Sequence, residues 1–432
     1  MRHLQRFAEF AIGDRSHIVV RQIARVWTTS DELDIMDDLI RDAASMGNDR
    51  LPLWLAGTRP RCGRLNLRFL EPICPSYIPG RLAIEGGRIM TGTERVLAVL
   101  MRETPDRIPT FEWDIDSGFV THTTGGGDYH DFIERFDHDA VVCGVKYRTD
   151  DLRHDRIKDE WGVTRQQGFE DYAMPVDELA PIKTMVDLES YTPPDPHDEA
   201  RLENLRAFRQ RYKDRRAIIF RVRDVWSGPR ELMGYEHLML QCLEDPQLVR
   251  EVVRMSVDHN IGLMSRAAED GADLVMTGDD IAYNSGPLIS PALWEKLFIP
   301  EFRRFEEAVH RLGLFHWKHT DGNIKPLLPS LIEAGIDAID PVDPLGGMDL
   351  AEIKNQWGDH IAIKGNVDCV GLLTRGTAEE VERAVKACIR SGGPGGGYAC
   401  STSNSIHSGV RPDLYQTMID TLRKHGSYPL SL

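Results

Sequence analysis

The stretch LGLFHWKHTDGN, residues 312–323, is an apolar run that breaks off in a polar cluster, with a helix-like pattern behind it. A buried strand reads this way where it leaves the core. Seven other runs have the same character: RIPTFEW (107–113), DAVVCGV (139–145), RAIIFRV (216–222), ADLVMTG (272–278), GIDAIDP (335–341), HIAIKGN (360–366) and GGYACST (396–402). Most are apolar throughout, as parallel strands covered on both faces should be. Amphipathic segments such as PQLVREVVRMSVDHNIGLMSRAAED separate them. Eight strand–helix units predict an α/β fold, specifically a (β/α)8 TIM barrel. Residues 146–215, rich in Asp, Pro and Arg, would be a long insertion before the third strand. A doubly wound open sheet is the alternative. No Gly-rich fingerprint follows any run, so no nucleotide or flavin motif is present.

The chain has 432 residues, 41% of them hydrophobic, and a formal net charge of −16. That charge argues against nucleic acid, an anionic membrane surface or a polyanionic substrate as partner. No apolar run reaches bilayer length. The seven cysteines are scattered without a CxxC pair and read as reduced thiols of a cytoplasmic protein. Residues 1–89 differ from the rest. They hold thirteen Arg and no Lys, whereas the other 39 basic residues include eleven Lys. Neither helical nor strand periodicity runs through RPRCGRLNLRFLEPICPSYIPGR, and a Glu-Gly-Gly that a ribosome-binding sequence would encode precedes Met90. We expect 1–89 to be a non-barrel extension, either translated leader or an arm with little order, and 90–432 to be the barrel. The latter opens on TGTERVLAVLMRE, a capped amphipathic helix.

Barrel active sites gather at the C-terminal ends of the strands, which turns the list of runs into a list of candidate residues. Glu112, Asp279 and His407 are the candidate acid–base groups. Asp114, Arg221, Arg223, Asp280, Asp340, Asn366 and Asp368 are candidates for substrate binding. His319 and Asp321 have alternate spacing at one strand end. With the Cys400 thiolate of the last run they would make a three-ligand zinc site with an open fourth position. Each residue also has an ordinary reading. Asp321-Gly322 is turn chemistry, and Cys400 in an apolar run is a small buried hydrophobe. Asp279-Asp280 would cap a helix, Asn366 and Asp368 would organise a loop, and Glu112 with Asp114 would form a solvated rim.

These segments also carry a resemblance. MTGTERVLAVLMRETPDRIP, GPLISPALWEKLFIPEFRRFEEAVHRLG, HTDGNIKPLLPSLIEAGIDAIDPVDP, IAIKGNVD and GGYACSTSNSIHSGVRPDLY resemble the uroporphyrinogen decarboxylase (URO-D) superfamily from about residue 90 to 428. The resemblance implies a (β/α)8 barrel with its cleft at the C-terminal mouth. It also implies one of two activities: haem-pathway decarboxylation, or zinc-dependent methyl transfer with corrinoid proteins or other methyl carriers. The decarboxylase's basic RQAGR signature is replaced by FEWDIDSG, and Cys143-Gly144 stand where its catalytic aspartate is expected. An acidic rim would repel a substrate with eight carboxylates. The methyltransferase branch has His-x-Cys-Gly and a later Cys as zinc ligands; here the matching places hold His319-Thr320-Asp321-Gly322 and Cys400. The expectation is therefore a metal-dependent methyltransferase-like enzyme binding zinc. Its partners would be a small-molecule substrate, a separate corrinoid or other methyl-carrier protein, and a second copy in a homodimer. The alternatives are a decarboxylase of a carboxylate substrate and a non-catalytic binding barrel.

Overall fold

The computed structural model describes residues 89–431, apart from 153–154, 169–172 and 279. The expectations for 1–89, and for Asp279 as an acid–base group, lie outside the described residues. At the N-terminal side, Gly92–Leu100 forms the capped helix: Thr91 accepts from the Glu94 amide, and the Glu94 side chain accepts from the Thr91 amide.

Seven of the eight apolar runs become strands of one parallel sheet. They are β1 (Ala140–Gly144), β2 (Ala217–Val222), β3 (Leu274–Gly278), β4 (His316–His319), β5 (Ala338–Asp340), β6 (Ala362–Lys364) and β7 (Tyr398–Ala399). They lie side by side in chain order. Helices such as Pro246–Glu269, Ile299–Arg311, Ala378–Gly392 and Pro412–His425 alternate with them. The curled parallel sheet agrees with the expected α/β class.

The first run, 107–113, does not form a ladder, and its donors explain why. Pro109 has no N–H, the Ile108 amide donates to Gly426 O, and the Thr110 amide donates to Asp139 Oδ2. The run still lies between the two edges of the sheet. Its Thr110 carbonyl accepts from the Asp139 amide, just before β1, and its Pro109 carbonyl accepts from the Cys400 amide, just after β7. Between β1 and β2 the chain builds a separate antiparallel sheet from Thr149–Asp151, Arg156–Asp159, Thr164–Gln167 and Ala173–Pro175. Among the described residues no helix is long and apolar enough to cross a membrane.

Two buried clusters follow the period-2 alternation of the strands. One contains Phe111, Ala140, Ile219, Met276, Trp317, Ala338, Ala362 and Ala399, together with Val96, Val99 and Leu100 of the first helix. This is the inner face. The larger cluster lies between sheet and helices and takes the intervening residues, among them Ile218, Val275, Ile339, Ile363, Tyr398 and Cys400.

Candidate functional site

Two residues beyond each inner apolar residue, the strands deliver a polar layer at their C-terminal ends. Trp113 follows Phe111, Arg221 follows Ile219, His319 follows Trp317, Asp340 follows Ala338 and Lys364 follows Ala362. Gly278 follows Met276, and it is Gly for lack of room: a Cβ there would meet Trp113 Cζ2 at 2.0 Å. The indole occupies that space and stacks on His319, with centroids 4.7 Å apart and planes 10° from parallel. The Arg221 guanidinium lies 5.2 Å from the Trp113 centroid and pairs with Asp114 at 3.1 Å.

His319 and Asp340 are register partners of β4 and β5. His319 Nδ1 lies 2.6 Å from Asp340 Oδ2, and Lys364 Nζ lies 2.6 Å from Asp340 Oδ1. One buried carboxylate thus serves two cationic partners. Burial works against its charge, but Lys364 and His319 outweigh that and hold the Asp340 carboxyl below the usual range. The same logic acts on His319. Burial lowers its pKa, the hydrogen bond and charge of Asp340 raise it, Asp321 and Asp280 add to that, and the net direction is up. The Nδ1 proton directed at Asp340 leaves Nε2 as the ring's remaining donor atom.

The loop after β4 shapes the rest. Gly322 has φ +83°, and a Cβ there would meet the Tyr283 backbone at 2.8 Å, so the turn needs glycine twice over. Around it, Thr320 Oγ1 accepts from the Ile281 amide, Asp280 Oδ1 from the Asp321 amide and Asp343 Oδ2 from the Gly322 amide. Asp321 caps no helix. Its Oδ2 accepts from Asn404 Nδ2 at 2.6 Å, while its Oδ1 is buried without a hydrogen-bond partner, 3.8 Å from His319 Nε2. Burial, with Asp280, Asp343 and Asp340 nearby, pushes the Asp321 carboxyl up to about 7, although His319 pulls the other way. One donor atom from each of Asp280, His319 and Asp321 lies within 4.8 Å of the others.

Cys400 does not join this group, which corrects the expected His319–Asp321–Cys400 ligand set. Ala399 belongs to the inner cluster, so its neighbour Cys400 takes the opposite face, fully buried against the helical layer. Burial, with Cys388 alongside, pushes its thiol well above the ordinary range.

Parity moves Glu112 in the same way. It follows inner Phe111 and points outward, where Thr402 Oγ1 lies 2.6 Å from Oε2 and Tyr415 donates to Oε1 at 3.1 Å. Burial pushes its carboxyl up to about 7, although Lys364 and Thr402 act against this. Arg223 pairs with Glu231 at 2.6 Å. Asp368 accepts from the Val370, Gly371 and Leu372 amides, which is the loop-organising arrangement. Asn366 Oδ1 accepts from the Cys388 thiol. His407 contacts the Cys369 carbonyl at 3.3 Å and accepts from the Gly409 amide at 3.1 Å within its own turn. The structure therefore links Asp114 and Arg221 through Trp113 to His319, and His319 to Asp280, Asp321 and Asp340, at the C-terminal ends of the strands; Glu112 and Cys400 face the other side of the sheet, and Arg223, Asn366, Asp368 and His407 make the separate contacts just given. Sequence reading passed over Trp113 and Asn404. The Phe111–Trp113 alternation was a signal for the first; nothing local marked the second.

The uroporphyrinogen decarboxylase (URO-D) family profile matches residues 167–425. The chain belongs to the URO-D family. Its relatives divide between two reactions. A methylated-thiol–coenzyme M methyltransferase of Methanosarcina mazei is 24% identical over 195 residues, covering 45% of this chain and 51% of that protein. The methylcobamide:CoM methyltransferase MtbA of the same organism is 30% identical over 147 residues, covering 34% and 41%. A uroporphyrinogen decarboxylase of Aromatoleum aromaticum is 23% identical over 201 residues, covering 44% and 52%. The chain thus spans about half the length of these curated relatives. A solved methyltransferase from Methanosarcina mazei shares the fold, with a TM-score of 0.63 at 16% identity, covering 78% of this URO-D chain and 99% of that one.

Proposed function

We propose that this URO-D protein is a metal-dependent enzyme of methyl transfer, with a divalent cation held by Asp280, His319 and Asp321. The observation that carries the reading is Asp321 Oδ1, a buried acceptor with no hydrogen-bond partner that faces His319 Nε2. An unsatisfied buried carboxylate oxygen is costly unless something charged completes it. The donor set is nitrogen and oxygen only. It suits zinc, and suits harder ions such as manganese better than a thiolate site would. When bound, the cation supplies Lewis acidity that lowers the pKa of a thiol, water or hydroxyl at its open position.

The chain's own groups do the rest. Asp340 holds the Nδ1 proton of His319 and turns Nε2 towards the mouth. Lys364 balances the Asp340 charge, and Trp113 blocks rotation of the imidazole. Arg221, beside the indole, meets an anionic part of the substrate in competition with Asp114. In the same reading, 107–113 supplies the first of eight strands of a (β/α)8 barrel over 90–432, and 1–89 is dispensable. The methyl carrier, a corrinoid protein or its equivalent, would be a separate chain; the name of one relative, a methylcobamide:CoM methyltransferase, supports a corrinoid carrier. The five described cysteines are unpaired thiols, in keeping with a reducing cytoplasm.

Decarboxylation is the second reading, favoured by one observation: His319, whose pKa is raised, and Arg221 pack on the same Trp113 indole, so the imidazole would donate a proton to a carbanion whose substrate carboxylate the guanidinium holds. Elemental analysis of purified protein, combined with methyl transfer from methylcobalamin to a thiol, separates the two. About one cation per chain and transfer abolished in His319→Ala support methyl transfer. Metal-stripped protein that decarboxylates at full rate overturns it.

A further inference from the structure

A buried hydrogen-bond chain reaches the mouth from the outer side of the sheet, and it converges on Asp321 through a residue that is not itself a candidate ligand. Asn404 lies in the loop after β7. Its Oδ1 accepts from the Ser405 amide at 2.5 Å. An amide N–H only donates, so the side-chain oxygen must face it, and Nδ2 is thereby committed to Asp321 Oδ2 at 2.6 Å. With Oδ2 engaged, the remaining oxygen of Asp321 is the one that faces His319 Nε2.

Asn404 is held in turn. Its main-chain carbonyl lies 2.6 Å from Thr402 Oγ1, which is also 2.6 Å from Glu112 Oε2. The hydroxyl thus sits between the Asn404 carbonyl and the Glu112 carboxyl, with one proton to donate to the two oxygens, and the Thr402 amide donates to Glu112 Oε2 at 3.2 Å as well. Glu112 is fixed further by Tyr415, whose hydroxyl lies 3.0 Å from His138 Nε2. Backbone hydrogen bonds pin the loop on both sides: Ser403 N to Val367 O at 2.8 Å and Ile406 N to Asp114 O at 3.0 Å.

We propose that Asn404 is a positioning residue that sets the orientation of the Asp321 carboxylate, and that the Thr402 hydroxyl, clamped by buried Glu112, holds Asn404 in place. The inference rests on the reading of Asp321 as a cation ligand. An alanine at 404 frees Oδ2 and lets the carboxylate rotate. An aspartate there sets two carboxylates face to face. Thr402→Val removes the hydroxyl at nearly constant shape, and Thr402→Ser restores it.

The test uses the full chain, titrated calorimetrically with zinc and separately with manganese, alongside crystal structures of the metal-free wild type and variants. Asn404→Ala is expected to weaken cation affinity about 10- to 100-fold, as loss of a group that orients a ligand does. Asn404→Asp should weaken it further, Thr402→Val in the same direction, and Thr402→Ser should stay near the wild type. Melting temperatures confirm that each variant folds. Asn404→Ala binding cation within twofold of wild type overturns the proposal. Should the wild type bind neither cation, the metal reading fails and the crystal structures decide Asn404 alone. Asp321 Oδ1 is expected to stay 3.8 Å from His319 Nε2 in the wild type and in Thr402→Ser, and to turn away in Asn404→Ala. An unmoved carboxylate in Asn404→Ala overturns the proposal.

Discussion

Two histidines stand at the two ends of β4, and their fates differ because they are three positions apart, an odd spacing. His316 points outward and His319 inward. Each contacts a carboxylate through Nδ1, His316 with Glu306 at 2.5 Å and His319 with Asp340 at 2.6 Å. Each chain of contacts also includes a carboxylate oxygen without a partner, Glu306 Oε2 on the outside and Asp321 Oδ1 on the inside. Yet His316 and Glu306 are 0% exposed under the helix Ile299–Arg311, and the Nε2 side of His316 is closed by Thr277 at 2.9 Å. Asp321 is 26% exposed beside His319 Nε2. Similar chemistry is a structural cross-link where solvent cannot arrive, and a candidate site where it can.

The largest effect expected from this contrast is on stability, at the outer histidine. Glu306→Ala leaves a buried imidazole without its partner and should cost about 3–5 kcal/mol in denaturant unfolding, with cation binding by the folded fraction unchanged. If cation binding also fails in folded Glu306→Ala, the two histidines are not independent. At the inner histidine the balance should invert: His319→Ala loses cation binding altogether while its unfolding free energy falls by less than about 2 kcal/mol.

Glu112 sharpens the comparison through pH, since it is another buried acid on the outer side. Its folded pKa of about 7 lies above its ordinary value of 4.5. A raised carboxyl contributes stability that is fully present below about pH 4.5 and is lost as pH rises through about 7. Glu112→Gln mimics the protonated form. Unfolding at pH 5 and pH 8 should show the wild type losing stability relative to Glu112→Gln, by up to about 3 kcal/mol. Parallel pH profiles would mean that the carboxyl ionises freely in the fold. The smallest effect is expected at Cys400. Cys400→Ser should leave cation stoichiometry unchanged and cost about 1 kcal/mol for the buried hydroxyl.

These contrasts also mark what the sequence disclosed. The runs that became β1 to β7 were legible because both faces of a parallel strand are buried, and their uniform apolarity shows it. The same uniformity hid parity. Nothing in GGYACST says whether Ala399 or Cys400 faces inward, so the expected ligand set took the wrong residue. HTDG was legible as a strand end, and Asp279-Asp280 as an acidic pair near another. That Asp280 contacts the Asp321 amide depends on a turn which Gly322 allows but does not announce. The 107–113 run reads like the others, but Pro109 has no N–H and the Ile108 and Thr110 amides donate to Gly426 and Asp139, which its apolarity does not announce. Asn404 was invisible because its partner is 83 residues away.

The central claim is that the inner end of β4, and not the Cys400 thiol just after β7, holds a cation. Anomalous diffraction from crystals of the full chain soaked in zinc or manganese tests it most directly. The account predicts one peak about 2.0–2.3 Å from His319 Nε2, with carboxylate oxygens of Asp321 and Asp280 at similar range. A peak at Cys400, or no peak at His319 in a soaked crystal of active enzyme, would contradict it.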